Sequence, residues 1–239
     1  MLLRTLTSGI DTNIRYMPIL RELQRLGTYE NLLEVGSGSE GIARYLNHRI
    51  TGADIEFSEP IHPNLLPVQL TGTTLPFADD SFDVVVSTDM LEHVPPKDRP
   101  TAVAELARVC RRSLFLAVPV GKASEAHDKK IDALYLKKNG VRHPFLIEHV
   151  QYGLPDADDI KQTILSAFGA RGKSAFIRQI KNYNLSVREW EARAWLNPST
   201  VSQRLFSYSR VFSLFDSALS FGECYRVIFF VDLRPLRRQ

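Results

Sequence analysis

Two groups of residues in this chain have types and spacings suited to chemistry. The first is Glu34, Gly36, Ser37, Gly38 and Gly41, with Asp54 further along. Closely spaced glycines between a strand and a helix let a backbone approach a ligand, and an acidic residue about 20 residues on is placed to hold ribose hydroxyls. The second is histidine-based: His93, and then His143-Pro144-Phe145-Leu146-Ile147-Glu148-His149, followed by Tyr152-Gly153-Leu154-Pro155. Histidine takes and releases protons near neutral pH, so these are the candidate bases, with His149 favoured, His143 next and His93 third. For each the competing reading is structural: helix start or packing for His93, loop-ordering hydrogen bonds for the other two.

The elements that must position these residues follow from the pattern. Asn31–Val35 reads as a short strand running straight into Gly36-Ser37-Gly38. Ile42, Leu46 and Ile50 are spaced as one helix face. Ile50–Ile55 is a second strand and Val68–Leu70 a third. Phe82–Ser87 is apolar almost throughout, as expected of a strand buried on both faces. Asp98 and Pro100 open a helix carrying Val103, Leu106, Ala107 and Cys110 on one face. Leu114–Val118 is the next buried strand. A helix from Asp156 buries Ile160, Ile164 and Phe168, and Ala175–Ile180 and Tyr225–Val231 are strands. An earlier helix is expected from Pro18 to Leu26, with Pro18 in its first turn.

Alternating strands and helices define an α/β, Rossmann-like fold. A seven-stranded, mostly parallel sheet is expected, with helices on both faces. The whole of 1–239 reads as one domain. Insertions at about 120–155 and 183–222 lie on the acceptor side, the second as helices over the cofactor end. The second contains the stripe Val201, Leu205, Tyr208, Phe212, Phe215 and Leu219, which suits a lid, a pocket wall, a homodimer face or plain core. Arg204 and Arg210 beside it leave a membrane-surface helix as a lesser reading.

Charge separates the ligands that a glycine loop can hold. A dinucleotide brings a pyrophosphate, whereas S-adenosylmethionine brings a sulfonium and an ammonium. Glu34 stands two residues before Gly36, at the mouth of the loop. At about 5 Å and an effective dielectric near 20, one carboxylate–cation contact is on the order of 3 kcal/mol before desolvation. That sign favours S-adenosylmethionine over a nicotinamide cofactor. The competing reading is that Glu34 ties down the loop.

These motifs resemble the class I S-adenosylmethionine-dependent methyltransferases of the type 11 family. Glu34-Val35-Gly36-Ser37-Gly38 resembles the family's first motif. Leu75-Pro76-Phe77-Ala78-Asp79-Asp80-Ser81-Phe82-Asp83-Val84-Val85-Val86-Ser87 resembles its fourth-strand signature, and Leu91-Glu92-His93-Val94 the segment after it. The resemblance runs from Leu32 to Pro119. It implies that Asp54 holds the ribose, that Thr88 and Asp89 lie at the ligand end of the sheet, and that one strand of the sheet is antiparallel. Two positions depart from the family: Glu40 stands where a third glycine is usual, with Gly41 one residue later, and Thr71 stands where an aspartate meets the adenine amine. Thr71 or the backbone at Gly72 is left to make that contact.

The implied function is methyl transfer to a small-molecule, sugar or lipid-linked acceptor. A nicotinamide oxidoreductase and a non-catalytic S-adenosylmethionine-binding module are the alternatives. With 239 residues, a net charge of +3 and no dense basic stripe, the chain does not read as a nucleic-acid enzyme. Nor does an Asn/Asp-Pro-Pro-Tyr/Phe motif follow the fourth strand. No metal site is expected, because His127, His143, Glu148 and His149 would converge only if their segment folded back. Two cysteines, no leader-like N-terminus and no run of about 18 apolar residues point to the cytoplasm.

Overall fold

A computed structural model describes residues 10–196 and 217–234. Seven strands form one sheet in the order β3-β2-β1-β4-β5-β7-β6. They are β1 Leu32–Val35, β2 Ile50–Asp54, β3 Leu65–Gln69, β4 Phe82–Thr88, β5 Cys110–Pro119, β6 Ser174–Asn184 and β7 Cys224–Arg234. β1 to β5 pair in parallel, and β7 runs antiparallel between β5 and β6, with Ser113 opposite Asp232 and Pro119 opposite Arg226. This is the expected architecture, including the reversed strand.

The helices are α1 Ile10–Leu26, α2 Arg99–Val109, α3 Gly121–Asn139, α4 Pro144–Tyr152, α5 Ala157–Gly169 and α6 Leu185–Leu196. Successive side chains of β4 point to opposite faces, so its hydrophobic residues serve two cores. Val85 joins Leu106, Ile164 and Phe168 of α2 and α5 on one face, and Val84 and Val86 join Ile19, Leu20 and Leu23 of α1 on the other. Asp156 caps α5 by accepting from the backbone N–H of Asp158 at 2.8 Å, and Ile160, Ile164 and Phe168 then fall on one buried stripe.

Several expectations are corrected. Ile42, Leu46 and Ile50 share no helix: a 3₁₀ turn, Gly41–Tyr45, ends at Leu46, and Ile50 opens β2. The spacing of four was coincidental, and all three are buried in separate elements. Pro18 lies inside α1, which begins eight residues earlier. Ile14, Tyr16, Met17, Ile19 and Leu20 are all buried there, and that packing outweighs one missing helical hydrogen bond. Cys110 is the first residue of β5. Residues 121–139 and 144–152 are helices where only a polar connection was read, because their buried residues are largely polar, including His127, Asp128, Asp132 and His149. Of the second insertion, α6 is helical. Val201, Leu205, Tyr208, Phe212 and Phe215 lie outside the described residues, while Leu219 packs beside Ile14, Tyr183 and Tyr225. Among the described residues, no helix is long and apolar enough to cross a membrane.

Candidate active site

One cavity of about 1220 Å³ runs along the carboxyl ends of β1, β2 and β4, where ligands bind in open α/β sheets. One end is lined by Gly36, Ser37, Gly38, Gly41, Asp54, Gly72, Thr88 and Asp89, the other by His93, His143, Glu148, His149, Arg188 and Trp195.

The glycine end is held by backbone and by a few buried polar bonds. Gly36, Gly38 and Gly41 all have positive φ, at 79°, 52° and 48°. A Cβ on Gly36 would stand 2.6 Å from Met90 Cβ, and one on Gly41 would overlap the Glu34 carboxylate. At Gly38 nothing lies within 4 Å of that position, so a side chain there would fill the cradle itself. Asp54 Oδ2 accepts from Gly38 N–H at 2.6 Å and Oδ1 from Ile55 N–H at 2.7 Å. Its remaining lone pairs stand on the cavity wall, available to hydroxyl donors.

Glu34 does not line the cavity. It is fully buried, with Oε2 accepting from Ile42 N–H at 2.7 Å and Oε1 from Tyr16 Oη at 2.8 Å. Thr88 Oγ1 donates to the same tyrosine oxygen at 3.1 Å. The carboxylate therefore ties the glycine loop to α1, the structural alternative weighed above. Burial raises its pKa to about 7, against the lowering by Ile42 N–H and Tyr16. Thr71 is exposed and outside the cavity wall, which Gly72 and Thr73 line instead. Ser37 is buried and donates to Gly38 O at 2.9 Å.

Asp89, just past β4, takes φ 48° and is gripped from two sides. Arg226 of β7, 1% exposed, pairs with it through two nitrogens, and Arg15 of α1 lies 3.0 Å away. Arg226 also reaches Asp11 at 3.3 Å and Asn182 Oδ1 at 3.0 Å. This network fastens the N-terminal half of α1 over the sheet. Sequence reasoning missed it, since Asp11, Arg15 and Arg226 carry no local motif.

The histidine end is assembled from five elements. His149 of α4 is 6% exposed, and its Nδ1 lies 2.8 Å from Asp128 Oδ2 of α3. Tyr225 Oη of β7 donates to that same oxygen at 2.9 Å, and Arg188 Nη1 of α6 stands 2.9 Å from Asp128 Oδ1. Burial works against ionisation of Asp128, yet the bond to His149 and the Arg188 charge leave its pKa below the usual carboxylate range. His93 stands in the 3₁₀ turn Leu91–His93. Its Nδ1 is 2.6 Å from Glu148 Oε2, and its Nε2 is 3.5 Å from His149 Nε2. Burial, then the neighbouring His149, lowers the His93 pKa. Arg99 fixes the two segments to each other, donating to Val94 O at 3.0 Å and Gly153 O at 2.6 Å.

His143 also lines the cavity but has no carboxylate partner. Its ring packs edge-on to Tyr135 at 4.9 Å and against Phe145 and Trp195, and burial lowers its pKa. His127 lies away from the cavity, with Nδ1 2.6 Å from Arg188 Nη1 and its pKa lowered to about 4 by burial and that arginine. Of the two tryptophans of α6, Trp195 lines the cavity and Trp190 does not. Glu92, Asp128 and Arg188 join the site unforeseen; Glu92 alone had a signal, its place beside His93.

The walls suit a cationic ligand. Carboxyl groups outnumber guanidinium groups, with Asp11, Glu40, Asp54, Glu56, Asp89, Glu92, Glu148 and Glu191 against Arg15, Arg44 and Arg188, and no lysine lines the cavity. A pyrophosphate has no clear partner here, and a sulfonium and ammonium do. Fold, glycine cradle and charge together are those of the class I S-adenosylmethionine-dependent methyltransferase fold.

The likeness to known proteins is consistent with that class. Residues 33–118 match the type 11 family model described as "Methyltransferase domain". Phosphatidylethanolamine N-methyltransferase of Cereibacter sphaeroides is 29% identical over 155 residues, which are 58% of this chain and 75% of that protein. Phosphoethanolamine N-methyltransferase 2 of Haemonchus contortus, solved with S-adenosylmethionine, superposes with a TM-score of 0.53 at 16% identity. The match covers 92% of this chain and 53% of that one, so the chain spans about half its length. A Thermotoga maritima structure, titled as a S-adenosylmethionine-dependent methyltransferase and possible histamine N-methyltransferase, gives 0.55 at 14% identity, over 96% and 92% of the two chains.

Proposed function

We propose that this chain methylates a nitrogen or oxygen nucleophile on a small polar headgroup carried by a lipid. The observation that carries this reading is the contrast between the floor and the mouth of the histidine end. The floor is buried His149 and partly buried His93 with their carboxylates. At the mouth stand Phe145, 64% exposed, and Trp195, 52% exposed, and both line the cavity. Val141, Leu136 and Ile147 are exposed nearby on α3, α4 and the turn between them, and Lys137, Lys138 and Arg142 share that segment. A polar site behind an apolar rim with adjacent cations suits a headgroup presented by acyl chains at an anionic surface. A phosphatidylethanolamine N-methyltransferase among the relatives points the same way.

When bound, S-adenosylmethionine supplies an electrophilic methyl group on a cationic sulfur. Asp54 and the backbone of Gly36–Gly41 would hold it at the glycine end. The chain must then align the acceptor and raise its nucleophilicity. Asp128 and Glu148 accept from the Nδ1–H groups of His149 and His93, so each Nε2 presents a lone pair to the cavity. The reacting headgroup atom would be oriented and activated at this histidine–carboxylate floor, and half-exposed Glu148 connects its His93 side to solvent.

The test uses methyl-labelled S-adenosylmethionine with phosphatidylethanolamine vesicles in one arm and soluble phosphoethanolamine in the other. Label should enter the organic phase, and Phe145→Ser with Trp195→Ser should cut that rate at least tenfold. Label confined to the soluble headgroup, or to neither acceptor, overturns the lipid reading.

A further inference from the structure

His93 and His149 face each other in an arrangement that two neutral imidazoles do not favour alone. Each Nδ1 rests on a carboxylate, at 2.6 Å from Glu148 and 2.8 Å from Asp128. A carboxylate only accepts, so each Nδ1 carries a hydrogen, and in the neutral ring Nε2 then holds the lone pair. Those two nitrogens are 3.5 Å apart. Between neutral rings, opposed lone pairs at that range repel, and a cation shared by both, a proton or a metal ion, removes the repulsion.

A third group meets them. Glu92 is 1% exposed, and its Oε2 is buried with no hydrogen-bond partner. A buried carboxylate oxygen without a partner is costly unless it is paired or coordinates a metal. One ligand atom from each of Glu92, His93 and His149 lies within 4.8 Å of the others. Glu92 and His93 are adjacent in one short turn, and α4 brings His149 from 56 residues away.

We infer that Glu92, His93 and His149 bind a divalent transition-metal ion on the acceptor side of the cavity. Two imidazole nitrogens and one carboxylate oxygen suit zinc or a neighbouring late first-row ion, and not magnesium or calcium. Two ligands about 2.1 Å from a tetrahedral ion stand about 3.4 Å apart, close to the observed separation of the histidine nitrogens. Asp128 and Glu148 complete two carboxylate–histidine pairs, which fix the tautomer and increase the basicity of each imidazole. Three protein ligands leave a position open, and all three residues line the cavity, so that position takes a hydroxyl or phosphate oxygen of the acceptor. The site stands on its own geometry and does not depend on the lipid reading.

The test is made on the full chain. Purified protein should retain or take up one equivalent of zinc by elemental analysis. Cobalt(II) at one equivalent should give the visible absorption of a low-coordinate nitrogen–oxygen site. Affinity should fall at least 100-fold in His93→Gln/His149→Gln, at least tenfold in Glu92→Gln, and about 10- to 100-fold in Asp128→Asn, the usual effect of losing an outer partner. Circular dichroism and Tm check that each variant folds; if none does, the wild-type cobalt spectrum decides. A wild-type chain that takes up neither zinc nor cobalt at tenfold molar excess overturns the inference, and so does unchanged affinity in the folded double variant. Metal uptake without S-adenosylmethionine binding would leave this site standing and remove the methyltransferase reading.

Discussion

At one end of the cavity the ligand would meet backbone: three glycines with positive φ, one aspartate, and a buried glutamate that shapes the loop from behind. At the other end it would meet side chains delivered by α3, α4, α6, β7 and a 3₁₀ turn. A backbone site is a local object whose residues lie within one strand–turn–strand stretch. A side-chain site exists only after the fold brings distant segments together. One end can therefore be read from spacing, and the other only from coordinates.

Arg226 clamps Asp89, at the glycine end, to α1, and its loss should have the largest effect. Its guanidinium is buried between Asp89 and Asp11. Arg226→Ala leaves those carboxylates without their partner and should cost about 3–5 kcal/mol in denaturant unfolding. A loss under about 1 kcal/mol would mean that the clamp contributes little to the fold.

Glu34 comes next. Its folded pKa of about 7 lies above the unfolded value near 4.5, so the protonated form favours the fold. That contribution is complete below about pH 4.5 and is lost as pH rises through about 7, an effect of about 3 kcal/mol at the usual 1.36 kcal/mol per unit. Glu34→Gln should flatten this part of the stability profile between pH 4.5 and 8 in urea melts. An unchanged profile would show that the carboxylate is already ionised in the folded loop, as its bond from Ile42 N–H favours.

His149→Ala sharpens the division between the ends. Turnover should fall about 10²-fold or more, while S-adenosylmethionine affinity by calorimetry stays within about twofold. Equal losses in both would merge the two sites into one. Asp54→Ala is the converse and the smallest, weakening cofactor binding by about 1–3 kcal/mol. An unaltered affinity would take Asp54 out of the cofactor site.

The sheet was legible because its strands are short apolar runs and its loop a glycine pattern. β4 needed only composition, while the reversal of β7 came from the family resemblance and not from its own residues. What could not be read was any element stabilised by tertiary contacts against its own local signals. α1 runs through Pro18, and α3 and α4 bury polar residues that look like loop in sequence. The histidines could be nominated by type, but their carboxylates could not. Asp128 lies in an ordinary helical run of charged residues, and nothing in it marks the one that meets His149. Glu34 was legible as important and open in role, because a charge facing a ligand and a charge behind a loop occupy the same place in sequence.

Arg99 has a consequence for how this enzyme can diversify. Its rigid fork spans the carbonyls of Val94 and Gly153, one residue after His93 and four after His149. The guanidinium acts as a caliper, holding the two segments to a set spacing whatever α4 presents on its outer side. Ile147 on that outer side is exposed, so it is free to drift. Substitution of Ile147 should leave the distance between the imidazoles unchanged. A lysine at position 99, with a single ammonium in place of a planar fork, could not keep it.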